Sequence, residues 1–285
     1  MRTDVQVKTQ LLNFAEHDRR VRMVLLNGSK VNPNAEPDQL QDFDVIFIVS
    51  DYETFLTNHD WTNVFGEKLI WQMPEEMTIG THSDIGFSYL MLFTDRTRID
   101  LTLFPIEHFP SHFVFDSLTE VWLDKEGLMP ALPPPTDADY HIRKPTEKEF
   151  RDVCNEFWWV STYVAKGLVR EEITYAKEML DTTVRQMFMT MIQWQIGLQN
   201  NFLVSFGKAG KNMRRYLSPG EFEIVLATYA DADIGNNWQA LFLMADLFKK
   251  YAENLSRSLK FSHDRLEQVN VLEYLKQVYY ENKLF

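Results

Sequence analysis

The chain has 285 residues, of which 45% are hydrophobic and 25% charged, and its net charge is −12. This length is sufficient for two domains with separate cores, and the composition is typical of a soluble globular protein. The acidic excess argues against a protein that binds the nucleic-acid backbone, and no apolar run reaches the roughly 18 residues of a membrane-spanning helix. The single cysteine, Cys154, excludes an intramolecular disulfide and a cysteine-based zinc site. The N-terminus lacks the apolar stretch of a signal peptide, so we expect a cytoplasmic protein.

The negative charge is concentrated in one segment. Residues 36–124 contain 17 acidic and three basic side chains, a net charge of −14. Such a segment suits a protein that binds metal cations or attracts a cationic small molecule. A surface that is acidic only for solubility explains it equally well.

The first half of the chain alternates short strand-like runs with turns. β-Branched and aromatic residues dominate the run at 45–49, and Thr94-Asp95-Arg96 separates two apolar runs as a hairpin turn would. This pattern predicts an α+β domain with a mixed β-sheet. The predicted elements are a helix over residues 4–18, strands over 21–26, 45–49, 68–72, 87–93 and 97–104, and an edge strand over 119–123.

A proline-rich stretch at 129–135 separates this half from a second half with long helical patterns. We therefore predict two domains, 1–135 and 136–285. Thr146 and Glu149 form a capping-box pattern ahead of a helix whose apolar residues recur every three or four positions to Leu168. Further helices are predicted over 170–198, from Ser218, over 237–258 and over 264–281, which together indicate an α-helical bundle.

Two short motifs in the first domain belong together. Gly28-Ser29 follows the first strand, and Asp42 and Asp44 open the second strand thirteen residues later. Residues two apart on a strand project from the same face, so the two carboxylates lie side by side. Asp100 lies on a later strand that can be a neighbour of the Asp42–Asp44 strand.

Three carboxylates on adjacent strands repel one another unless a cation lies between them. Mg²⁺ prefers oxygen ligands and completes its shell with water and substrate phosphates, so we predict that Asp42, Asp44 and Asp100 bind Mg²⁺. Gly28 has no side chain to keep a phosphate away, and Ser29 adds a donor. The combination predicts a triphosphate site beside a metal site.

This combination resembles the nucleotidyltransferase superfamily that includes DNA polymerase β and the antibiotic nucleotidyltransferases. The chain is most similar to the aminoglycoside 6-adenylyltransferases, and the resemblance covers nearly its whole length. One departure is visible, since Lys30 stands where those enzymes commonly have arginine, and lysine cannot form a two-pronged contact with phosphate. The similar segments are LNGSKVNPN at 26–34, QDFDV at 41–45, IDLTLFP at 99–105, CNEFWWVSTY at 154–163 and KNMRRYL at 211–217.

The resemblance implies a nucleotidyltransferase domain followed by a helical domain, and an enzyme that transfers AMP from ATP to the 6-hydroxyl of streptomycin. Asp42 and Asp44 then bind Mg²⁺, while Asp100 is either the general base or a third metal ligand. Lys211 is the strongest candidate for a triphosphate contact among the basic residues at 208–215, although a solvated turn explains them equally well. The predicted nucleotide-binding residues are Gly28, Ser29, Lys30 and Lys211, and the predicted acceptor-binding residues are Asn155, Glu156 and Trp159.

The expected partners are ATP and an aminoglycoside, with no nucleic acid and no membrane, and we expect a monomer.

The assignment of Glu156 to acceptor binding has an alternative, since a half-exposed glutamate is also ordinary on a helix. Two alternative functions stay open at this point. One is a nucleotidyltransferase with another acceptor, such as a protein hydroxyl or a different antibiotic, and the other is an inactive relative that only binds a nucleotide.

Overall fold

The computed structural model describes residues 1–80 and 83–282. The chain divides into two compact units, residues 1–139 and 140–285. Across the described part of the chain, no helix has the length and apolar character needed to cross a membrane.

The first unit is built on a six-stranded mixed sheet in the order β3-β4-β5-β2-β1-β6. Strands β2 and β5 are parallel, and the other neighbouring pairs are antiparallel. The α+β prediction is confirmed, including the position of the last strand at a sheet edge. In chain order the elements are α1 (Asp4–His17), β1 (Val21–Asn27), β2 (Phe43–Val49), α2 (Tyr52–Leu56), β3 (Lys68–Gln72), β4 (Phe87–Phe93), β5 (Arg98–Pro105), α3 (Phe109–His112) and β6 (Thr119–Asp124).

Each face of this sheet has its own environment. One face packs against the apolar stripe of α1, where Val7 and Leu11 are fully buried together with Phe47. The opposite face carries a small cluster of Met23, Ile48 and Phe109. Because side chains alternate along a strand, the apolar α1 face fixes which polar residues of β2 and β5 project from the other face.

The second unit is helical, as the sequence predicts. The capping box at Thr146 is formed, since its hydroxyl accepts a hydrogen bond from the Glu149 amide at 3.2 Å and the Glu149 carboxylate accepts one from the Thr146 amide at 2.7 Å. Phe157 and Phe248 stack in the core with their rings 3.8 Å apart. The helices are α4 (Glu147–Val169), α5 (Ile173–Met179), α6 (Arg185–Gln199), α7 (Pro219–Ala227), α8 (Ile234–Leu259) and α9 (Arg265–Asn282).

The predicted continuous helix over 170–198 is interrupted. A π-helical turn at Leu180–Val184 joins α5 to α6. The turn places Asp181 one turn before the buried Arg185, whose Nη2 donates to the Asp181 carboxylate at 2.8 Å and to the Thr228 carbonyl at 2.8 Å. The guanidinium also lies over the Tyr229 ring at 3.8 Å. Arg185 thus ties α6 to the end of α7, a tertiary contact that helix periodicity does not reveal.

Replacement of Arg185 by leucine should destabilise the protein by about 3 kcal/mol, because it leaves the buried hydroxyl and carbonyl oxygens of Thr228 without their donor. Urea unfolding followed by circular dichroism measures the change. Arg257→Leu, at an exposed position of α8, is the matched control and should shift the midpoint little. Equal stability of the two variants would contradict this role for Arg185.

Candidate active site

The turn after β1 brings backbone and carboxylate unusually close. Gly28 has a φ of +79°, and a Cβ built on it would lie 2.2 Å from Oδ2 of Asp44. Both the left-handed conformation and the missing side chain are therefore required at this position. The Asp44 carboxylate lies directly over the Gly28 backbone as a result.

Asp44 and Asp100 are direct neighbours across the parallel pair of strands. In the β2–β5 register, Asp44 is opposite Asp100, and on the other side of β2, Asp44 is opposite Asn27 of β1. Adjacent strands lie about 4.8 Å apart, so the two carboxylates share one patch of the sheet face. The predicted neighbourhood of the Asp44 and Asp100 strands is confirmed.

Arg98 links two of the three predicted aspartates. Its Nε donates to Oδ1 of Asp100 at 2.9 Å and its Nη2 to Oδ2 of Asp100 at 2.7 Å. Its Nε also lies 3.5 Å from Oδ2 of Asp42. This role of Arg98 was not predicted, although the sequence carries a signal for it: Arg98 precedes Asp100 by two residues and so shares its face of the strand.

Asp42 lies just before the first residue of β2, with its side chain about one-third exposed (34%). Burial raises its pKa above the usual range, and the Arg98 guanidinium offsets part of that rise. Within residues 1–80 and 83–282, no three histidine, cysteine or carboxylate side chains are arranged so that they could hold a metal ion. The three-aspartate Mg²⁺ site therefore stays a prediction.

Ser29 and Lys30 belong to a 3-10 turn that follows β1. The Ser29 carbonyl accepts a hydrogen bond from Nε2 of Gln41 at 3.3 Å, which fastens this turn to the segment before β2. Nζ of Lys30 pairs with Asp4 of α1 at 3.0 Å and lies 4.2 Å from the centre of the Phe43 ring. Lys30 thus already has partners on the α1 face, and its predicted contact with the nucleotide is untested.

A cavity of about 510 Å³ opens beside Asp42 within the first unit. Its lining includes Lys30, Gln41, Asp42 and Arg98. Lys30 and Arg98 bring cationic groups, the kind of group that pairs with phosphate, beside Asp42, and Asp4 and Asp38 add further carboxylates to the lining.

Two acidic residues between β3 and β4 contact the sheet or the segment before β3. The Glu75 carboxylate accepts a hydrogen bond from the Ser88 amide of β4 at 2.9 Å. Glu76 lies 3.2 Å from Nε2 of His59. These partners are distant in sequence, so the loop pattern alone gives no sign of them.

The predicted residues of the second unit lie on exposed surfaces. Asn155, Glu156 and Trp159 share the outer face of α4, and Trp159 is 59% exposed. Nε1 of Trp159 donates to the Tyr163 hydroxyl at 2.7 Å, and Nδ2 of Asn155 donates to Glu267 at 3.3 Å. The assignment of these three residues to acceptor binding stays a prediction.

Lys211 follows a turn in which Gly207 has a φ of +73°, and a Cβ on Gly207 would lie 2.8 Å from Cγ of Lys211. The aliphatic part of the lysine therefore covers the glycine. Arg214 of the same basic cluster lies 5.6 Å from the Phe222 ring. The prediction that Lys211 binds the triphosphate remains untested.

Comparison with known proteins decides the family. The profile described as streptomycin adenylyltransferase matches residues 1–278. The aminoglycoside 6-adenylyltransferase of Campylobacter jejuni is 41% identical over 92% of this chain and 91% of its own length. The chain belongs to the streptomycin adenylyltransferase family. The prediction of a nucleotidyltransferase from Gly28-Ser29 and the aspartates is therefore confirmed.

Two further relatives of the streptomycin adenylyltransferase family are similar over almost their full length. The aminoglycoside 6-adenylyltransferase of Bacillus subtilis (strain 168) is 38% identical over 98% of this chain and 99% of its own. A crystal structure of an aminoglycoside 6-adenyltransferase from Bacillus subtilis shares 34% identity, covers 98% of this chain and 99% of its own, and has a TM-score of 0.48.

The donor set of this family member suits a divalent metal. Asp42, Asp44 and Asp100 supply only hard carboxylate oxygens, the ligand type that Mg²⁺ prefers. In this structure Arg98 pairs its positive charge with Asp42 and Asp100. The glycine at position 28 leaves space over the backbone that a Cβ would fill.

Gly28→Ala should lower the free energy of unfolding by about 3 kcal/mol, because the new Cβ meets the Asp44 carboxylate and the left-handed backbone is strained. Gly127→Ala is the matched control. Gly127 also has a positive φ, +66°, but nothing lies within 4 Å of its Cβ position, so it should cost only about 1–2 kcal/mol. Urea unfolding of both variants measures the difference, and equal losses would refute the close approach of Asp44.

Proposed function

We propose that this protein transfers AMP from ATP to a hydroxyl of an aminoglycoside, the 6-hydroxyl of streptomycin, with release of pyrophosphate. The observation that supports it most directly is the register that sets Asp44 beside Asp100, with the Gly28-Ser29 turn on the neighbouring strand. Carboxylates that can hold a metal ion, next to a glycine that lets phosphate approach the backbone, suit the transfer of a nucleotidyl group. The names of the relatives support the same acceptor class.

The Gly28-Ser29 turn would bind the phosphates of ATP. Gly28 lets the phosphate oxygens approach the backbone, and Ser29 offers an amide and a hydroxyl as donors. Gln41 keeps this turn in place through its bond to the Ser29 carbonyl. The adjoining cavity accommodates the rest of the phosphate chain.

Asp42 and Asp44 would hold Mg²⁺, which when bound neutralises phosphate charge and stabilises the departing pyrophosphate. The acceptor hydroxyl oxygen attacks the α-phosphorus in line, and the bond from that phosphorus to the oxygen bridging the β-phosphate breaks. Asp100 takes the hydroxyl proton, since its carboxylate adjoins Asp44 and is held in one orientation by Arg98.

The outer face of α4 would bind the aminoglycoside. Glu156 supplies a carboxylate for a guanidinium group of streptomycin, and Trp159 supplies an exposed ring on which a cation or a sugar can lie. Asn155 adds a side-chain amide to the same face.

Asp42→Asn and Asp44→Asn should each lower turnover more than about 100-fold, because a neutral amide does not hold the cation that stabilises the leaving group. The unfolding midpoint should stay the same or rise, since repulsion between carboxylates is relieved. AMP transfer is measured by mass spectrometry of the product and by pyrophosphate release. Asp60→Asn, at an exposed position of the same unit, is the matched control, and wild-type turnover in either test variant would exclude these residues from the site.

The acceptor is tested with streptomycin, kanamycin, gentamicin and spectinomycin, each incubated with the purified protein, ATP and Mg²⁺. Streptomycin alone should gain the mass of AMP, because its guanidinium groups pair with carboxylates through two parallel hydrogen bonds while the ammonium groups of the others do not. Modification of kanamycin but not streptomycin would reject the acceptor and leave the nucleotidyl transfer standing. If none of the four drugs is modified, the result favours a protein hydroxyl as the acceptor or an inactive relative that only binds a nucleotide.

A further inference from the structure

Arg98 makes two unequal contacts with the predicted metal ligands. Its guanidinium forms a two-pronged ion pair with Asp100, at 2.9 and 2.7 Å, and a single longer contact with Asp42 at 3.5 Å. The Asp100 side chain is 18% exposed, whereas that of Asp42 is 34% exposed. The tight pair is therefore the sheltered one, and the contact with Asp42 is at the open side.

We propose that Arg98 is a positioning residue with two separable tasks: its fork orients Asp100 throughout the reaction, and its charge occupies Asp42 until a divalent cation replaces it there. This inference rests on the proposed function, since it assumes that Asp42 and Asp44 bind the cation. It goes beyond that function by assigning a residue that controls both cation affinity and the orientation of Asp100.

The charge task follows from the crowding of carboxylates. Asp42, Asp44 and Asp100 lie within the same patch, and Arg98 brings a positive group into contact with Asp42 and Asp100. A cation that enters this patch competes with the guanidinium for Asp42. Removal of the Arg98 charge should therefore strengthen cation binding.

The orientation task follows from the geometry of the fork. Both oxygens of Asp100 accept a hydrogen bond from Arg98, so the plane of the carboxylate is fixed. Lysine has the same charge but a single nitrogen, and it cannot hold both oxygens in this way. Replacement by lysine therefore separates the two tasks, because it keeps the charge and loses the fork.

Two variants test the proposal, with Mn²⁺ as the probe. Binding of Mn²⁺ to the protein without nucleotide is followed by the loss of the electron paramagnetic resonance signal of free Mn²⁺, and kcat is measured separately with ATP and streptomycin. Arg98→Gln should bind Mn²⁺ at least about fivefold more tightly but turn over about 100-fold more slowly. Arg98→Lys should bind Mn²⁺ as the wild type does and still show the slow turnover.

Arg20→Gln is the matched control. Arg20 forms a similar fork with Asp18, two residues away, at 3.0 and 2.6 Å, at the start of β1. Its loss should lower the melting temperature without changing Mn²⁺ affinity or kcat. A merely structural Arg98 would behave like Arg20, with stability as the main property to change.

The outcomes discriminate clearly. Tighter Mn²⁺ binding together with slower turnover in Arg98→Gln supports the proposal. Partial unfolding of the variant would instead weaken Mn²⁺ binding as well as slow turnover. Unchanged affinity, or affinity that falls with the melting temperature, overturns it. If wild type binds no Mn²⁺ and Asp44→Asn changes nothing, the proposed metal site itself fails, whereas normal wild-type binding with an unaffected Arg98→Gln refutes only the role of Arg98.

Discussion

The parallel pairing of β2 with β5 is the constraint on which the site depends. It sets Asp44 opposite Asp100, although the two residues are far apart in the chain. A shift of one residue would send one carboxylate to the α1 face, where the neighbours are buried apolar side chains. The hydrophobic core therefore fixes the register, and the register fixes the distance between the two aspartates. The packing that stabilises the sheet therefore also sets the geometry of the site.

The absence of a side chain at Gly28 is the second feature on which the site depends. Asp44 needs the space above Gly28, and any larger residue there would meet the carboxylate. The turn that begins at Gly28 thus does two things at once: it ends β1 and brings its backbone against the Asp44 carboxylate. Arg98 completes the arrangement from β5, since its fork limits how Asp100 can rotate. Each of these three features comes from a different strand.

Local pattern was enough to predict the strands, the capping box at Thr146 and the helix start at Ser218, because these follow from side-chain alternation and cap chemistry. The expectation that the Asp44 and Asp100 strands can be neighbours is confirmed as well. The π-helical turn at Leu180–Val184 and the contact of Arg185 with Thr228, more than forty positions away, were missed because helix periodicity carries no signal for either. The ion pair of Arg98 with Asp100 could have been predicted from the sequence, because residues two apart on a strand share one face. Its second contact, with Asp42, required the register of two separate strands.

The strongly acidic segment of residues 36–124 has a different meaning once its partners are known. The first 35 residues carry six basic and three acidic side chains, so they bring positive charge into the same unit. Arg2 pairs with Asp95 at 3.0 Å, and this contact helps to hold the pKa of Asp95 well below its usual range. Lys8 reaches Glu120 at 3.4 Å.

Part of the negative charge of residues 36–124 is therefore neutralised by α1 and the residues that precede it. The net charge of the segment overstates the field that a cationic ligand meets. Selectivity for one cationic acceptor must then come from the positions of particular carboxylates, because a diffuse field attracts guanidinium and ammonium groups alike.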